Sequence, residues 1–284
     1  MVIRGARPIV DDQINNHYSQ HQYCKLNLGE YADHWRHWLQ HSDTKVLAGL
    51  SAFEFADSTH GTSQTFEHFI LRHSHQRCIA VFRGEFQYHA CISKNQKFQP
   101  LVTAQDLRPN HAVIISLPFS DLGSEYPGFH DILNRCNQLG IPVCLDLAYW
   151  GIAKDIHIDL DQYSCVEQVT ASLSKPFFVL ENHRVGIRFS RQYLDDGVNM
   201  QNEVNMQNLY SMSLGLHFMQ KFSSDWNWAK YSSAYFETCK TFNLEPTDTV
   251  IFGLDYLGQY SEFNRGTPGM SRVCISELLT QGIK

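Results

Sequence analysis

The sequence predicts an α/β protein: a mostly parallel sheet covered by helices, followed by a reduced α+β small domain. Three observations carry this expectation. From about Thr59 onward, strand-like and helix-like stretches alternate. The strand-like runs are continuously apolar, as suits parallel strands buried on both faces. After Arg191 the texture changes to long helical stretches and then short strand-like pieces. A chain of 284 residues is near the upper limit of what one core supports. We therefore expect an N-terminal segment over 1–45, a large domain over 46–195 and a small C-terminal domain over 196–284.

The elements are justified in chain order. "YADHWRHWLQH" places His34, His37 and His41 on one helical face. Trp35 and Trp38 mark it as an ordinary amphipathic helix, and no metal is expected there. "GTSQTFEHFILRH" has helical apolar spacing with Gly61 and Thr62 at its start, and "CIAVF" is a short buried-strand run. "AVIISL", "YPGFHDILNRCNQLG" and "IPVCLDLAY" read as strand, helix closed by Gly140, and strand. "CVEQVTASL" and "RVGIRFS" add two strands. "NEVNMQNLYSMSLGLHFMQKF" and "WAKYSSAYFETCKTF" read as long helices, before strand-like "DTVIFGL" and "RVCISELL".

Composition narrows the partners. With a net charge of −6 and no basic run, the chain has little attraction for a polyanion, so a small molecule is expected and nucleic acid is not. No stretch approaches the roughly 20 apolar residues of a membrane span, and the start lacks a signal-peptide core, so a cytoplasmic protein is expected. Eight cysteines without a C-x-x-C pair read as buried thiols in a reducing compartment.

In sheets of this kind ligands gather beyond the carboxyl ends of the strands. Several residues with chemical potential fall there. Asp146, at the end of an apolar strand, either pairs locally or holds a cationic ligand group, and Tyr149 can present a phenol to the same cavity. Lys175 can form a Schiff base if its amine is desolvated, or it is a surface lysine. Ser172, Ser174 and Arg184 suit a phosphate, as do Gly61 and Thr62 at a helix start. Phe86 or Tyr88 could stack on a planar ring. Together these match the binding needs of pyridoxal 5′-phosphate (PLP).

Gly-Thr at a helix start, an aromatic, D-x-x-Y, S-x-S-K and a following R-x-G occur here in an order that resembles the class I/II aminotransferases of PLP fold type I, the aspartate aminotransferase superfamily. The likeness spans roughly Leu50 to Arg191, with an echo near the C-terminus. It implies that Lys175 carries the cofactor as a Schiff base and shuttles the substrate proton, that Asp146 pairs with the pyridine nitrogen, and that Tyr149 bonds the phenolic oxygen. Gly61, Thr62, Ser172 and Arg184 would hold the phosphate with His60 adjoining, and Phe86, ahead of Tyr88, would stack on the ring. In "GMSRVCIS", Arg272 would bind the substrate carboxylate, with Arg265 of "FNRG" a competitor.

The departures from that family are specific. Its N-P-x-G asparagine is replaced in "SLPFSDLG" by Ser120 or Asp121, Arg184 lies one residue late, and the chain is about a hundred residues short of typical members. The resemblance implies a homodimeric PLP-dependent aminotransferase acting on an amino acid and a keto acid. Alternatives are a lyase, decarboxylase or racemase using the same lysine, or a non-catalytic relative that only binds.

Overall fold

The computed structural model describes residues 2–3, 5–94 and 96–280. In chain order the elements are α1 (Asp12–Ser19), α2 (Leu28–Gln40), β1 (Val46–Ala48), β2 (Phe55–His60), α3 (Thr62–His73), β3 (Cys78–Phe82), α4 (Tyr88–Ile92), β4 (Phe98–Leu101), β5 (His111–Ser116), α5 (Phe129–Leu139), β6 (Val143–Asp146), β7 (His157–Asp159), β8 (Val166–Ser172) and β9 (Val185–Ser190). There follow α6 (Gly197–Glu203), α7 (Leu209–Lys221), α8 (Trp226–Thr241), β10 (Glu245–Pro246), β11 (Phe252–Asp255) and β12 (Ser271–Cys274).

Seven strands form the main sheet in the order β2-β9-β8-β6-β5-β3-β4. Its pairings are parallel except those of β9, which runs against both β2 and β8. This is the mostly parallel sheet expected from the sequence. Successive side chains leave a strand on opposite faces. Ala80, Phe82, Val113 and Ile115 accordingly enter one apolar cluster with α2 and α7. Ile79, Val81, Ala112 and Ile114 enter another with Phe66, Phe69 and Ile70 of α3. Burial on both faces explains why all six residues of β5 are buried. A third cluster gathers α8 and the β10-β11-β12 sheet around Tyr231, Tyr235 and Phe252.

Several boundaries differ from the sequence expectation. The strand read over 141–149 stops at Asp146, because the Asp146 carboxylate accepts from the Ala148 amide at 2.9 Å and folds the chain into a turn. The single helix read over 202–222 is two, α6 and α7. Asn205 has a φ of 57° between them, and Asn208 caps α7 by accepting from the Ser211 amide. The sequence reading missed β2, whose inward residues Asp57 and Thr59 are polar. Cys24 and Cys91 are exposed and Cys78 and Cys165 half-buried, so the thiols are not uniformly core. Among the described residues, no helix is long and apolar enough to cross a membrane.

Asp57 on β2 faces the fully buried Arg188 of β9, which pairs with it at 2.7 Å and with Asp196 at 2.7 Å. Asp196 also caps α6 by accepting from the Val198 and Asn199 amides. Burial works to raise the Asp196 pKa, but the hydrogen bonds and charge of Arg188 outweigh it and hold it down to about 2. A depressed carboxylate stabilises the fold above its unfolded value, near pH 4, and loses that contribution as pH falls further. We predict that Asp196→Ala costs about 3 kcal/mol in urea unfolding at pH 7. The difference from wild type should hold above about pH 5 and shrink as the pH falls from about 4 towards 2.

Candidate active site

With β9 reversed, six parallel strands end at one edge of the sheet and β9 begins there. A cavity of about 570 Å³ opens along this edge. Gly61, Thr62, Phe86, Ser120, Asp146, Tyr149, Ser172, Lys175 and Arg184 all line it. The sheet brings together residues that span more than a hundred positions of sequence.

Gly61 lies between β2 and α3 with a φ of +75°. A Cβ there would sit 3.1 Å from Arg184 Nη2, so the bare backbone leaves room for that guanidinium. Gly186, second in β9, makes a matching close approach, since its Cβ would lie 2.7 Å from Gly61 Cα. Arg184 itself has a φ of 55°, a left-handed conformation that costs a non-glycine residue roughly 1–2 kcal/mol. Its Nη2 donates to Ser63 Oγ at 2.5 Å. Nearby, Ser172 Oγ donates to Ser174 Oγ at 2.9 Å or to the Val185 carbonyl at 3.1 Å, and accepts from the Ser174 amide. Free α3 amides, two hydroxyls and a guanidinium thus surround one end of the cavity.

Asp146 ends β6 in the middle of the sheet and is 5% exposed. Burial pushes its carboxyl well above the usual range, and the charge of Glu85 adds to this; the Ala148 amide and Lys175 oppose it. A carboxylate here gains from a cationic partner in the cavity. Lys175 is partly buried, and its Nζ donates to the Ala6 carbonyl at 2.7 Å. It is therefore not the surface lysine of the bland reading. Phe86 and Tyr88 both line the cavity, with ring centroids 5.8 Å apart in a stack. The Tyr88 hydroxyl is committed to Glu67 on α3.

One sequence expectation needs correction. His60 does not line this cavity; it borders a separate small groove with Asn202 and Met206. As the last residue of β2 it is exposed, and its amide bonds the Gln64 side chain. Arg272 is neither solvent-facing nor among the residues lining the cavity. It is fully buried, with Nη1 donating to the Tyr149 hydroxyl at 3.3 Å and to the Ser120 carbonyl. Its Nε and Nη2 lack partners, as does Ser120 Oγ, and buried donors of this kind need an acceptor. Nε and Nη2 form one side of the guanidinium fork, the geometry that accepts a carboxylate. Arg265, the competitor, does line the cavity.

Sequence reasoning missed Gly5 and Ala6, Ser63, Ser116, Glu85 and Glu181. All but Glu85 line the cavity, and Glu85 lies beneath it, bonded to Ser116. The N-terminal residues carry no local signal. They arrive because Ile3 bridges Cys274 of β12 and Arg7 pairs with Glu181.

No protein-family model matches the chain, and no curated protein does. Solved structures do match it. The PLP-bound C-S lyase of Staphylococcus hominis superposes with a TM-score of 0.71 at 11% identity, covering 97% of this chain and 84% of that one. An aminotransferase from Mycobacterium tuberculosis gives 0.69 at 16% identity over 97% and 90% of the two chains. Tyrosine aminotransferase from Leishmania infantum gives 0.67 at 14% over 98% and 90%. The fold of this chain is therefore that of PLP fold type I, the fold of the aspartate aminotransferase superfamily.

The residues present fit that cofactor. Gly61 forms a cradle that a Cβ would fill, and Ser120 offers an orphaned hydroxyl. Gly61→Val should push Arg184 off the start of α3. We expect PLP affinity to fall about tenfold or more, read by equilibrium absorbance titration, with little change in far-UV circular dichroism.

Proposed function

We propose that this chain is a PLP-dependent enzyme that acts on an amino acid through Lys175, with aminotransfer as its reaction. One observation carries this reading. Lys175 and Asp146 line a single cavity whose other end is built from Gly61, Thr62, Ser172 and Arg184. An amine, a buried acid and an anion cradle in one space match the three anchoring points of PLP.

In this reading the α3 amides after Gly61, the Ser172 hydroxyl and the Arg184 guanidinium hold the phosphate. Phe86 stacks on the ring, Asp146 accepts from the ring nitrogen, and the Tyr149 hydroxyl bonds the ring oxygen. When bound, PLP supplies an electron sink that stabilises negative charge at the substrate α-carbon. The Lys175 amine would hold the cofactor through its aldehyde carbon, the aldehyde oxygen leaving as water, and once freed by substrate would act as the base for the proton on the substrate α-carbon. The Nε and Nη2 of Arg272, behind the wall formed by Ser120 and Tyr149, receive the substrate carboxylate. Tyr149 and Ser120 share the Nη1 donor of that arginine, so the ring-oxygen partner and the carboxylate partner are mechanically joined.

Ser120 stands where aminotransferases of this family carry asparagine, and this supports a second reading on the same lysine. A shorter side chain holds the substrate carboxylate by fewer bonds, and the bond held perpendicular to the ring then follows from the rest of the pocket. β-Elimination is the alternative reaction.

We expect the purified protein to bind added PLP as a yellow species. Borohydride should bleach it and fix the cofactor mass on a peptide containing Lys175, while Lys175→Ala binds without that covalent mark. A protein that stays colourless with PLP supplied removes the reading. Single amino acids tested with a keto acid acceptor should yield a new keto acid; ammonia without acceptor dependence would select elimination. Arg272→Lys should raise KM for the amino acid by about tenfold to a hundredfold and leave the PLP spectrum in place.

A further inference from the structure

We propose that Glu85 and Asp146 act as a coupled pair of buried carboxylates at the floor of the cavity, holding one proton between them, and that this pair sets the pH range over which the site takes a protonated ring nitrogen. The identity of that ring rests on the PLP reading above; the pair itself rests on geometry.

Glu85 occupies the turn between β3 and α4 and is 6% exposed. Its carboxylate accepts from the Ser116 amide at 2.8 Å, the Ser116 hydroxyl at 2.5 Å and the Phe86 amide at 2.9 Å. Ser116 ends β5 and stands in register with Asp146 on the adjacent β6. The two acids therefore flank one residue at neighbouring strand ends, and among the described residues the Asp146 carboxylate accepts one hydrogen bond, that of the Ala148 amide. Gly84 fixes the turn: its φ is +95°, and a Cβ would lie 2.8 Å from Thr267 Oγ1 and 2.9 Å from Asp121 Cβ.

The charged and titratable groups facing the pair are few. Lys175 comes from the loop after β8 and favours ionised Asp146, while Arg265, from the segment before β12, favours ionised Glu85. Cys144 on β6 feels the Asp146 charge, and its thiol is pushed far up by burial first. Tyr149 and the buried Arg272 lie beyond the β6 end. His89 on α4 is held neutral by burial, its pKa pushed down to about 3, and both ring nitrogens lack partners. Burial prevails over these cations: Glu85 and Asp146 are both raised, and the charge of Glu85 adds to the rise at Asp146. Acids whose charges interact strongly titrate as a unit.

The proton accounting is simple. A ring that arrives with its nitrogen unprotonated takes the proton of the pair, leaving two carboxylates beside a pyridinium. A ring that arrives protonated releases one proton to solvent. In either case Glu85 adds negative potential behind Asp146 and so favours the ring cation.

The test uses wild type, Glu85→Gln, Asp146→Asn, the double variant and Glu85→Asp, which keeps the charge. Thermal midpoints without cofactor are measured from pH 4 to 8, and PLP dissociation constants from pH 5 to 8. Raised carboxylates destabilise the fold progressively as pH rises above their unfolded value. Glu85→Gln should therefore gain stability relative to wild type as pH rises, and the gain should be smaller in the Asp146→Asn background, where burial alone still raises Glu85. For PLP, the ratio of the Glu85→Gln to the wild-type dissociation constant should rise by about tenfold from pH 5 to pH 8, and Glu85→Asp should restore the wild-type slope. A change equal at every pH, or one undiminished in the Asp146→Asn background, would make Glu85 a hydrogen-bond anchor only and overturn the proposal. Failure of wild type to bind PLP at any pH would overturn the PLP reading and the ring half of this one, while the cofactor-free profiles still decide the carboxylate pair.

Discussion

Burying a carboxylate at the end of a central strand is expensive unless something positive comes to meet it, and Asp146 imposes that constraint on everything around it. β6 lies between β5 and β8, with each of its four residues buried, so the acid cannot turn to solvent. The Ala148 amide provides one hydrogen bond; Lys175, from the neighbouring strand end, provides favourable charge. A cationic group in the cavity above would relieve the remaining cost. Stability and proposed chemistry pull in opposite directions at this residue, as is common where a site is built from buried charge.

The second constraint is directional. In an all-parallel sheet the start of β9 would lie at the far edge, and Arg184 with it. Its reversal between β2 and β8 places Arg184 between Gly61 and Ser172. Two glycines, Gly61 and Gly186, permit the close approach, and the left-handed backbone of Arg184 turns its side chain over the gap. The strain of that conformation is held by the ladders on either side of β9 and by the bond to Ser63.

The cavity is completed from outside the main sheet. Ile3 is bonded to β12 through two backbone hydrogen bonds of 3.0 and 2.9 Å, which draws Gly5 and Ala6 across Lys175. Arg272, on β12, reaches under Ser120 and Tyr149 and lies 4.1 Å over the Phe252 ring. Thr267 donates to Asp121 at 2.6 Å, tying the segment that carries Arg265 to the turn after β5. Both chain ends and the β10-β11-β12 sheet thus bear on one wall of the site, and a carboxylate-binding arginine placed there would respond to any shift between this sheet and the main one.

Much of the fold was legible because its signals are local. The continuous apolar runs of β3, β5 and β6, the helical spacing in α3 and α5, and glycines at positive φ beside α3 and α5 are each decided within a dozen residues. The same is true of the strand-end residues Asp146 and Lys175, since a residue type after a recognisable strand fixes its edge of the sheet, and of Gly61, which is read from the start of α3. β2 escaped notice because its buried side chains are polar, balanced by a β9 arginine more than a hundred residues away. Glu85 carries no local signal and gains its place only when the turn folds it onto Ser116. The burial of Arg272, the displacement of His60 to another groove and the arrival of Ala6 at Lys175 likewise had no local signature. Sequence determined which residues could do chemistry and at which edge of the sheet they lie, because backbone periodicity and hydrophobic burial are read over short stretches. Tertiary structure alone decided which of them meet, because charge pairing, desolvation and strand order depend on segments that the chain brings together only when the whole core closes.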